Sequence, residues 1–295
     1  MNSNADSAAL TPERVEIVCA DGVRLCGHFF SGTGSADQLP VLLSPATGVK
    51  QQFYFRFAQW LAQNGNSVLV FDYRGIGLSL HGQLKDCQAT LAQWGQQDQV
   101  AAIEWLVQRT GCDNIVLVGN SAGAQMLGLL PNHRRVARLV GIASSTGWFS
   151  GMRTSFQLKA RFALLYFVPL AIRFMGYAPT SLLGLGENLP SQVALQWGQW
   201  CNAGGYATNA KFARPEDDFH SAIHIPMTFF YATDDDIAND ITVEDLARTF
   251  PNAIKTKIKI EPAKIGLKSI GHLDWFRSAN QAVWPTIAGA INATT

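Results

Sequence analysis

The pentapeptide Gly-Asn-Ser-Ala-Gly at residues 119–123 constrains this chain more than any other stretch of its sequence. It follows an apolar, mostly β-branched run at 115–118, which predicts a buried strand, and it precedes apolar residues at helical spacing. A serine with glycines two positions away on each side, between a strand and a helix, is the pattern of a nucleophile elbow. Such a turn strains the serine backbone and leaves room only for small neighbours. We therefore expect the turn to present the hydroxyl of Ser121 at the end of the strand.

A serine hydroxyl becomes a strong nucleophile only when a base removes its proton and a third group orients that base. With this elbow, the acid and then the histidine are expected downstream in the chain, each in a loop after a strand. His272 follows the last predicted strand and is the candidate base. The acid belongs to the run Asp234, Asp235 and Asp236, which leaves three alternatives. We choose Asp235, because apolar residues that can pack behind it follow directly.

The oxyanion that forms when serine attacks a carbonyl needs two N–H donors. The amide of Ala122, at the start of the predicted helix, offers the first donor. The second is expected in the loop after the predicted strand at 41–43. Because Pro45 has no N–H, this loop leaves Ala46 or Thr47 as the second donor.

The rest of the sequence predicts the scaffold of this site. Buried-strand patterns alternate with helical patterns between residues 41 and 143, which predicts a parallel sheet covered by helices on both faces. Alternating apolar residues around Asp21-Gly22 predict a hairpin before it. Further strands are predicted at 226–231 and 254–260.

The strand rhythm stops between about residues 145 and 220, where aromatic residues accumulate without a strand pattern. We expect one core domain, residues 1–144 and 221–295, interrupted by a helical cap at 145–220. One interpretation is that the aromatic residues pack on the core. The other, which we prefer, is that they form a cap that covers the site and shapes an apolar acyl pocket. The residues expected in the substrate pocket are Asn120, Trp148, Phe149, Trp197 and Trp200.

Composition excludes several classes of protein. A hydrophobic content of 47% with 15% charged residues is typical of a globular chain, and a net charge of +1 gives no indication of nucleic-acid binding. The apolar run at 162–175 contains Pro169 and Arg173 and is shorter than the ~20 residues of a membrane span. The largely polar start of the chain shows no signal segment, and five scattered cysteines suggest no disulfide framework, so we expect a cytoplasmic protein.

No cofactor or metal is expected from the motifs. His220 and His224 have a spacing that could suit a metal, but no third ligand is placed nearby. The glycine clusters match neither the dinucleotide-binding fingerprint nor a phosphate-binding loop. The sequence carries no signal of oligomeric state.

The motifs, in their order along nearly the whole chain, resemble the α/β-hydrolase superfamily. The segments that carry this resemblance are VLVFDYRGIGLS at 68–79, GNSAG at 119–123, Ala-Thr-Asp-Asp-Asp at 232–236 and Gly-His at 271–272. Segments similar to bacterial predicted hydrolases of the serine-aminopeptidase-like branch are Ala-Thr-Gly at 46–48, 176–179, 185–190 and 196–201.

This resemblance implies a mostly parallel, eight-stranded sheet with helices on both faces and a helical cap insertion. It also implies Ser121 as nucleophile, Asp235 as acid and His272 as base, whereas Asn120 replaces a histidine that is common in relatives. The expected activity is hydrolysis of carboxylic esters, or of thioesters or amides, on a small-molecule acyl substrate. One alternative is an acyltransferase on the same scaffold, and another is a non-catalytic binding module.

Overall fold

A computed structural model describes residues 11–34 and 38–293 of the chain. The predicted core domain extends beyond these residues at both ends. Residues 1–10, which include most of the polar start of the chain, residues 35–37 and residues 294–295 lie outside the described residues.

The strands form one large sheet and one small one. Their bounds are β1 (Glu13–Val18), β2 (Arg24–Phe30), β3 (Val41–Ser44), β4 (Val68–Phe71), β5 (Ile115–Asn120), β6 (Val136–Ile142), β7 (Tyr177–Ala178), β8 (Leu189–Pro190), β9 (Pro226–Ala232) and β10 (Ile254–Ile260). Within residues 11–34 and 38–293, the large sheet has eight strands in the order β1-β2-β4-β3-β5-β6-β9-β10. Among the strand pairs that the structure describes in this sheet, only β1–β2 and β2–β4 are antiparallel. The predicted eight-stranded, mostly parallel sheet is therefore confirmed.

Helices cover both faces of this sheet, as predicted. Their bounds are α1 (Phe55–Gln63), α2 (Leu91–Gln93), α3 (Val100–Thr110), α4 (Ala122–Gln125), α5 (Thr154–Phe162), α6 (Val168–Met175), α7 (Ser191–Cys201), α8 (Asp240–Ala247) and α9 (Trp284–Ile291). Residues 94–99 join α2 to α3 and residues 163–167 join α5 to α6, in both cases as a π-helical turn. Every residue of β3, β4 and β5 is buried, which explains their uninterrupted apolar sequences.

Residues 143–225, here called the inserted segment, lie between β6 and β9, which are neighbours in the large sheet. The segment contains α5, α6 and α7 and the antiparallel pair β7–β8. The sequence predicted no strand in this region. This prediction was wrong for β7 and β8, because strands of two residues are too short to produce an alternating pattern.

A buried ion pair fixes the loop after β4. The Nε of Arg74 lies 2.6 Å from Oδ1 of Asp98, and Nη1 of Arg74 lies 2.6 Å from Oδ2 of Asp21. The backbone N–H of Arg74 donates to Oδ2 of Asp98 at 2.9 Å. Burial raises the pKa of Asp98 to about 6 in spite of the neighbouring guanidinium. The pair thus ties the β1–β2 turn and the helical layer to the sheet.

We expect Arg74→Ala to lower the free energy of unfolding by about 3–5 kcal/mol, because it leaves Asp98 buried without a cation. The deficit should shrink as the pH is lowered toward about 6, because the loss of the guanidinium raises the pKa of Asp98 further in the variant. The folded variant therefore takes up a proton on Asp98 at a higher pH than folded wild type does. Urea unfolding at several pH values measures both effects.

The control for this experiment is Arg24→Ala, which removes an exposed ion pair with Glu16 at 4.0 Å. We expect it to change the free energy of unfolding by less than about 0.5 kcal/mol. Equal losses in the two variants would show that the buried pair contributes no more than a surface pair.

The turn from β5 into α4 has no room for side chains at two positions. A Cβ atom at Gly119 would lie 2.2 Å from the backbone N of Ala124, and one at Gly123 would lie 2.2 Å from the carbonyl O of Ser44. Backbone atoms cannot yield as a flexible side chain can. The two glycines are therefore required by space, as the elbow pattern predicts.

We expect Gly123→Ala to lower the free energy of unfolding by at least about 2 kcal/mol, because the new methyl group overlaps the end of β3. Gly289→Ala is the matched control, since Gly289 lies in α9 and a Cβ there would have no neighbour within 4 Å. That variant should be neutral or more stable by up to about 1 kcal/mol. Equal stability of the two variants in thermal and urea unfolding would contradict this account.

Candidate active site

Ser121 occupies a backbone conformation that residues with side chains rarely adopt. Its φ is 48° and its ψ is −112°, at the junction of β5 and α4. The neighbouring strand holds this geometry, because the N–H of Ser121 donates to the carbonyl O of Ile142 at 3.0 Å. Its Oγ lies 3.0 Å from Nε2 of His272.

His272 connects Ser121 to a buried carboxylate. Nδ1 of His272 lies 2.8 Å from Oδ2 of Asp235, whose side chain is fully buried. The other oxygen of Asp235 accepts the N–H groups of Ile237 and Ala238, at 2.8 and 3.0 Å. With a proton on Nδ1 facing the carboxylate, Nε2 is left as the acceptor for the serine hydroxyl. These three side chains, called the triad below, are the ones that the sequence selected.

The three consecutive aspartates make three different sets of contacts. The carboxylate of Asp234 accepts the backbone N–H groups of residues 270–271, at 2.9 and 3.1 Å, and so holds the loop in front of the histidine. Asp235 bonds the imidazole, as described above. Asp236 points to the inserted segment, where its carboxylate lies 3.2 Å from the guanidinium of Arg153. Of the three candidates, only Asp235 reaches the histidine.

The candidate oxyanion donors differ in their existing partners. Ala122 is buried at the start of α4, next to Ser121. The N–H of Ala46 donates to the hydroxyl of Tyr54 at 2.9 Å and is therefore already engaged. The N–H of Thr47 makes no hydrogen bond within residues 11–34 and 38–293. The structure thus favours Thr47 over Ala46 as a free donor.

Tyr54 is a site residue that the sequence did not reveal. It is fully buried, and burial raises its pKa above the ordinary value, so the hydroxyl remains neutral. This hydroxyl accepts the N–H of Ala46 and donates to Oδ1 of Asn120 at 2.9 Å. It thereby joins the loop after β3 to the residue before Ser121. In the sequence Tyr54 is one of several aromatic residues at 53–60, and nothing there marks a hydrogen-bonding role.

The placement of Asn120 in the substrate pocket was wrong. Its side chain is fully buried, and its Nδ2 donates to the carbonyl O of Ile142 at 3.0 Å, while Oδ1 accepts from Tyr54. Both partners, Tyr54 and Ile142, are themselves fully buried in the core. Asn120 therefore supports the elbow and does not form a pocket wall.

The four aromatic residues predicted for the pocket have different environments. Phe149 is fully buried in the core, which corrects its assignment to a pocket wall. Trp200 is also buried, packs edge-on against Tyr206 and lines a cavity of about 560 Å³ that has no triad residue in its lining. Trp148 and Trp197 are partly exposed in the inserted segment.

Two further observations concern metals and membranes. Within the described residues, no group of three or more histidine, cysteine, aspartate or glutamate side chains could hold a metal ion. Nδ1 of His220 instead lies 2.6 Å from the carboxylate of Asp218, and this hydrogen bond lowers the pKa of that carboxyl. In the same part of the chain, no helix has the length and apolarity needed to cross a membrane.

The fold is shared with solved structures that include a lipase and an esterase. A soluble variant of monoglyceride lipase from Saccharomyces cerevisiae superposes with a TM-score of 0.64 at 15% identity, over 97% of this chain and 96% of that chain. A thermophilic esterase from Thermogutta terrifontis superposes with a TM-score of 0.58 at 18% identity, over 95% of this chain and 100% of that chain. DcsB, in complex with its substrate analogue, superposes with a TM-score of 0.64 at 15% identity, over 97% of this chain and 100% of that chain. At these identities the likeness shows the fold alone.

Sequence comparison supports the same conclusion at the level of the family. No curated protein matches the chain significantly. The model of the alpha/beta hydrolase family matches residues 41–284, which include β3, the elbow and the triad. The chain therefore belongs to the alpha/beta hydrolase family.

Proposed function

We propose that this protein is a serine hydrolase that cleaves carboxylic esters through an acyl-enzyme intermediate. The observation that carries the proposal is the continuous chain of hydrogen bonds from Ser121 through His272 to Asp235, with distances of 3.0 and 2.8 Å. A strained serine, an imidazole in contact with it and a buried carboxylate behind that imidazole are what nucleophilic catalysis by serine requires. Membership of a hydrolase family, and structural neighbours that include an esterase and a lipase, support the reaction class.

In the proposed first half-reaction, Oγ of Ser121 attacks the ester carbonyl carbon while its proton passes to Nε2 of His272. Asp235 holds the Nδ1 proton and stabilises the imidazolium. The C–O bond to the alcohol then breaks, and His272 gives its proton to the leaving oxygen. The acyl group is left as an ester on Ser121.

In the second half-reaction, water replaces the alcohol. His272 removes a proton from the water as it attacks the acyl carbon, and then returns a proton to Oγ of Ser121 as the acid departs. The oxyanion formed in each half-reaction accepts hydrogen bonds from the N–H groups of Ala122 and Thr47. Two such donors are worth several kcal/mol in the transition state (about 3 kcal/mol or more each).

We further propose that residues 145–220 act as a cap over the triad. The loop of the acid supports this, because Asp236 pairs with Arg153 and the side chain of Asn239 donates to the carbonyl O of Gly151 at 2.9 Å. The start of the inserted segment is thereby attached directly to the loop that carries Asp235. Such an attachment suits a roof that excludes water from the reacting carbonyl.

The triad assignment is tested by hydrolysis of p-nitrophenyl esters. We expect Ser121→Ala to remove measurable turnover and Asp235→Asn to lower kcat by about 10³–10⁴, because the imidazole then loses its orienting charge. Asp236→Asn is the matched control and should stay within about threefold of wild type, since its ion pair is exposed. The hydrogen bond from Asn239 to Gly151 still attaches the inserted segment in this variant. Turnover by Ser121→Ala, or an equal loss in both aspartate variants, would refute the assignment.

The hydroxyl of Tyr54 offers a separate test of the loop that carries Thr47. We expect Tyr54→Phe to cost about 1–3 kcal/mol of stability, because it leaves two buried polar groups without a partner. It should also lower kcat about tenfold with little change in KM, since the oxyanion donor loses its position.

Tyr231→Phe serves as the control for this variant. The hydroxyl of Tyr231 donates to Asp240 at 2.7 Å and has no contact with the loop after β3. Its removal should leave kcat unchanged. An unchanged kcat in Tyr54→Phe would separate that hydroxyl from catalysis.

A further inference from the structure

The helices α5 and α6 expose an unusual amount of apolar surface. Together with the π-helical turn between them they form one continuous helical stretch, residues 154–175. Five large apolar side chains on it, spaced four residues apart, are each between 59% and 79% exposed. We call this set the apolar stripe; its members are Leu158, Phe162, Tyr166, Leu170 and Phe174.

The π-helical turn at 163–167 keeps these side chains on one face. In a regular α-helix, residues four apart differ by about 40° in direction, so a four-residue repeat winds slowly around the axis. A π-helical turn contains more residues, which rotates the following residues back. The stripe therefore continues from α5 to α6 over roughly 24 Å, at 1.5 Å per residue.

The opposite face of the same helical stretch is firmly packed. Leu164 and Val168 are buried in the core of the protein. Gly198 of α7 lies so close that a Cβ there would be 3.0 Å from the carbonyl O of Leu164. The helical stretch is thus held against the body of the protein, and the apolar stripe is presented outward on a supported surface.

The charged side chains of the helical stretch itself all have one sign. Residues 153–175 contain four basic residues and no aspartate or glutamate, and the sequence has no acidic residue at all between 114 and 186. Arg153 pairs with Asp236, and Arg161 donates to the hydroxyl of Ser150. Lys159 and Arg173 are exposed, and neither forms an ion pair with a described residue.

We propose that the apolar stripe docks on a membrane surface that contains anionic phospholipid. A helix with large apolar side chains on one face and basic residues beside them lies in the plane of the lipid–water interface, where the apolar face enters the acyl region and the cations meet anionic headgroups. Such a bilayer therefore matches both the apolar surface and the positive charge of the helical stretch.

A second copy of the chain is a poorer occupant of the stripe. A symmetric pair places the same patch on both subunits. Lys159 and Arg173 would then face the same cations, with no acidic residue on the helical stretch to offset them. The apolar stripe lies within the segment proposed above as the cap, but none of its residues belongs to the triad.

The test is co-sedimentation with vesicles of phosphatidylcholine alone or mixed with phosphatidylglycerol. Wild-type protein should bind the mixed vesicles and bind those of pure phosphatidylcholine at least about tenfold more weakly. The double variant Phe162→Gln with Phe174→Gln should lose at least about tenfold in partitioning, because it removes two apolar side chains from the interface. The double variant Lys159→Gln with Arg173→Gln should bind the mixed vesicles about tenfold more weakly than wild type does, because it removes two cations that meet anionic headgroups.

Ile254→Gln is the matched control for these variants, since Ile254 is an equally exposed apolar residue on β10. It should bind vesicles as wild type does. Thermal unfolding followed by circular dichroism, measured without vesicles, reports on the folded state of each variant without reference to catalysis, and the midpoint should stay close to that of wild type in all of them. A loss of vesicle binding is therefore distinguishable from a failure of the catalytic proposal.

Two results would overturn the proposal. The first is the absence of binding to mixed vesicles, or binding that the stripe variants leave unchanged. The second is a lipid-free dimer, seen by light scattering, that the double phenylalanine variant dissociates while the wild type fails to bind vesicles. That second result would assign the stripe to a second copy of the chain.

Discussion

The structure depends on the close contact of backbone with backbone around the turn that carries Ser121. The loop after β3 reaches the elbow because Gly123 has no side chain, and α4 folds back on β5 because Gly119 has none. These two close backbone contacts hold Ser121 at a positive φ that it would not adopt in an open loop. This packing determines the positions of the Ser121 hydroxyl, the amide of Ala122 and the loop that carries Thr47.

Hydrogen bonds from polar side chains then fix the loops that surround Ser121 and the imidazole of His272. Tyr54 and Asn120 link the loop after β3 to the elbow from within the core. On the other side, Asp234 holds the histidine loop through its backbone, and the adjacent Asp235 holds the imidazole itself. Because Tyr54, Asn120 and Asp235 are buried and hydrogen-bonded, small displacements are costly, and the imidazole remains within reach of Ser121.

The sheet and the order of the triad could be predicted because they depend on local patterns: buried apolar runs, the glycines of the elbow, and an acid and a histidine after strands. Contacts between distant residues left no such pattern. Arg74 lies two residues after Asp72 in the sequence, but in the structure it bonds Asp98 and Asp21. The role of Tyr54 and the burial of Asn120 depend on three-dimensional packing, and the two-residue strands β7 and β8 are too short to be read from a sequence.

The central claim is that Ser121 carries the acyl group. It is tested most directly by treating the protein with a fluorophosphonate and locating the adduct by peptide mass mapping. The account predicts a single adduct on Ser121, which disappears when the protein is denatured before treatment. An adduct on another residue, or none in protein that still hydrolyses esters, would contradict it.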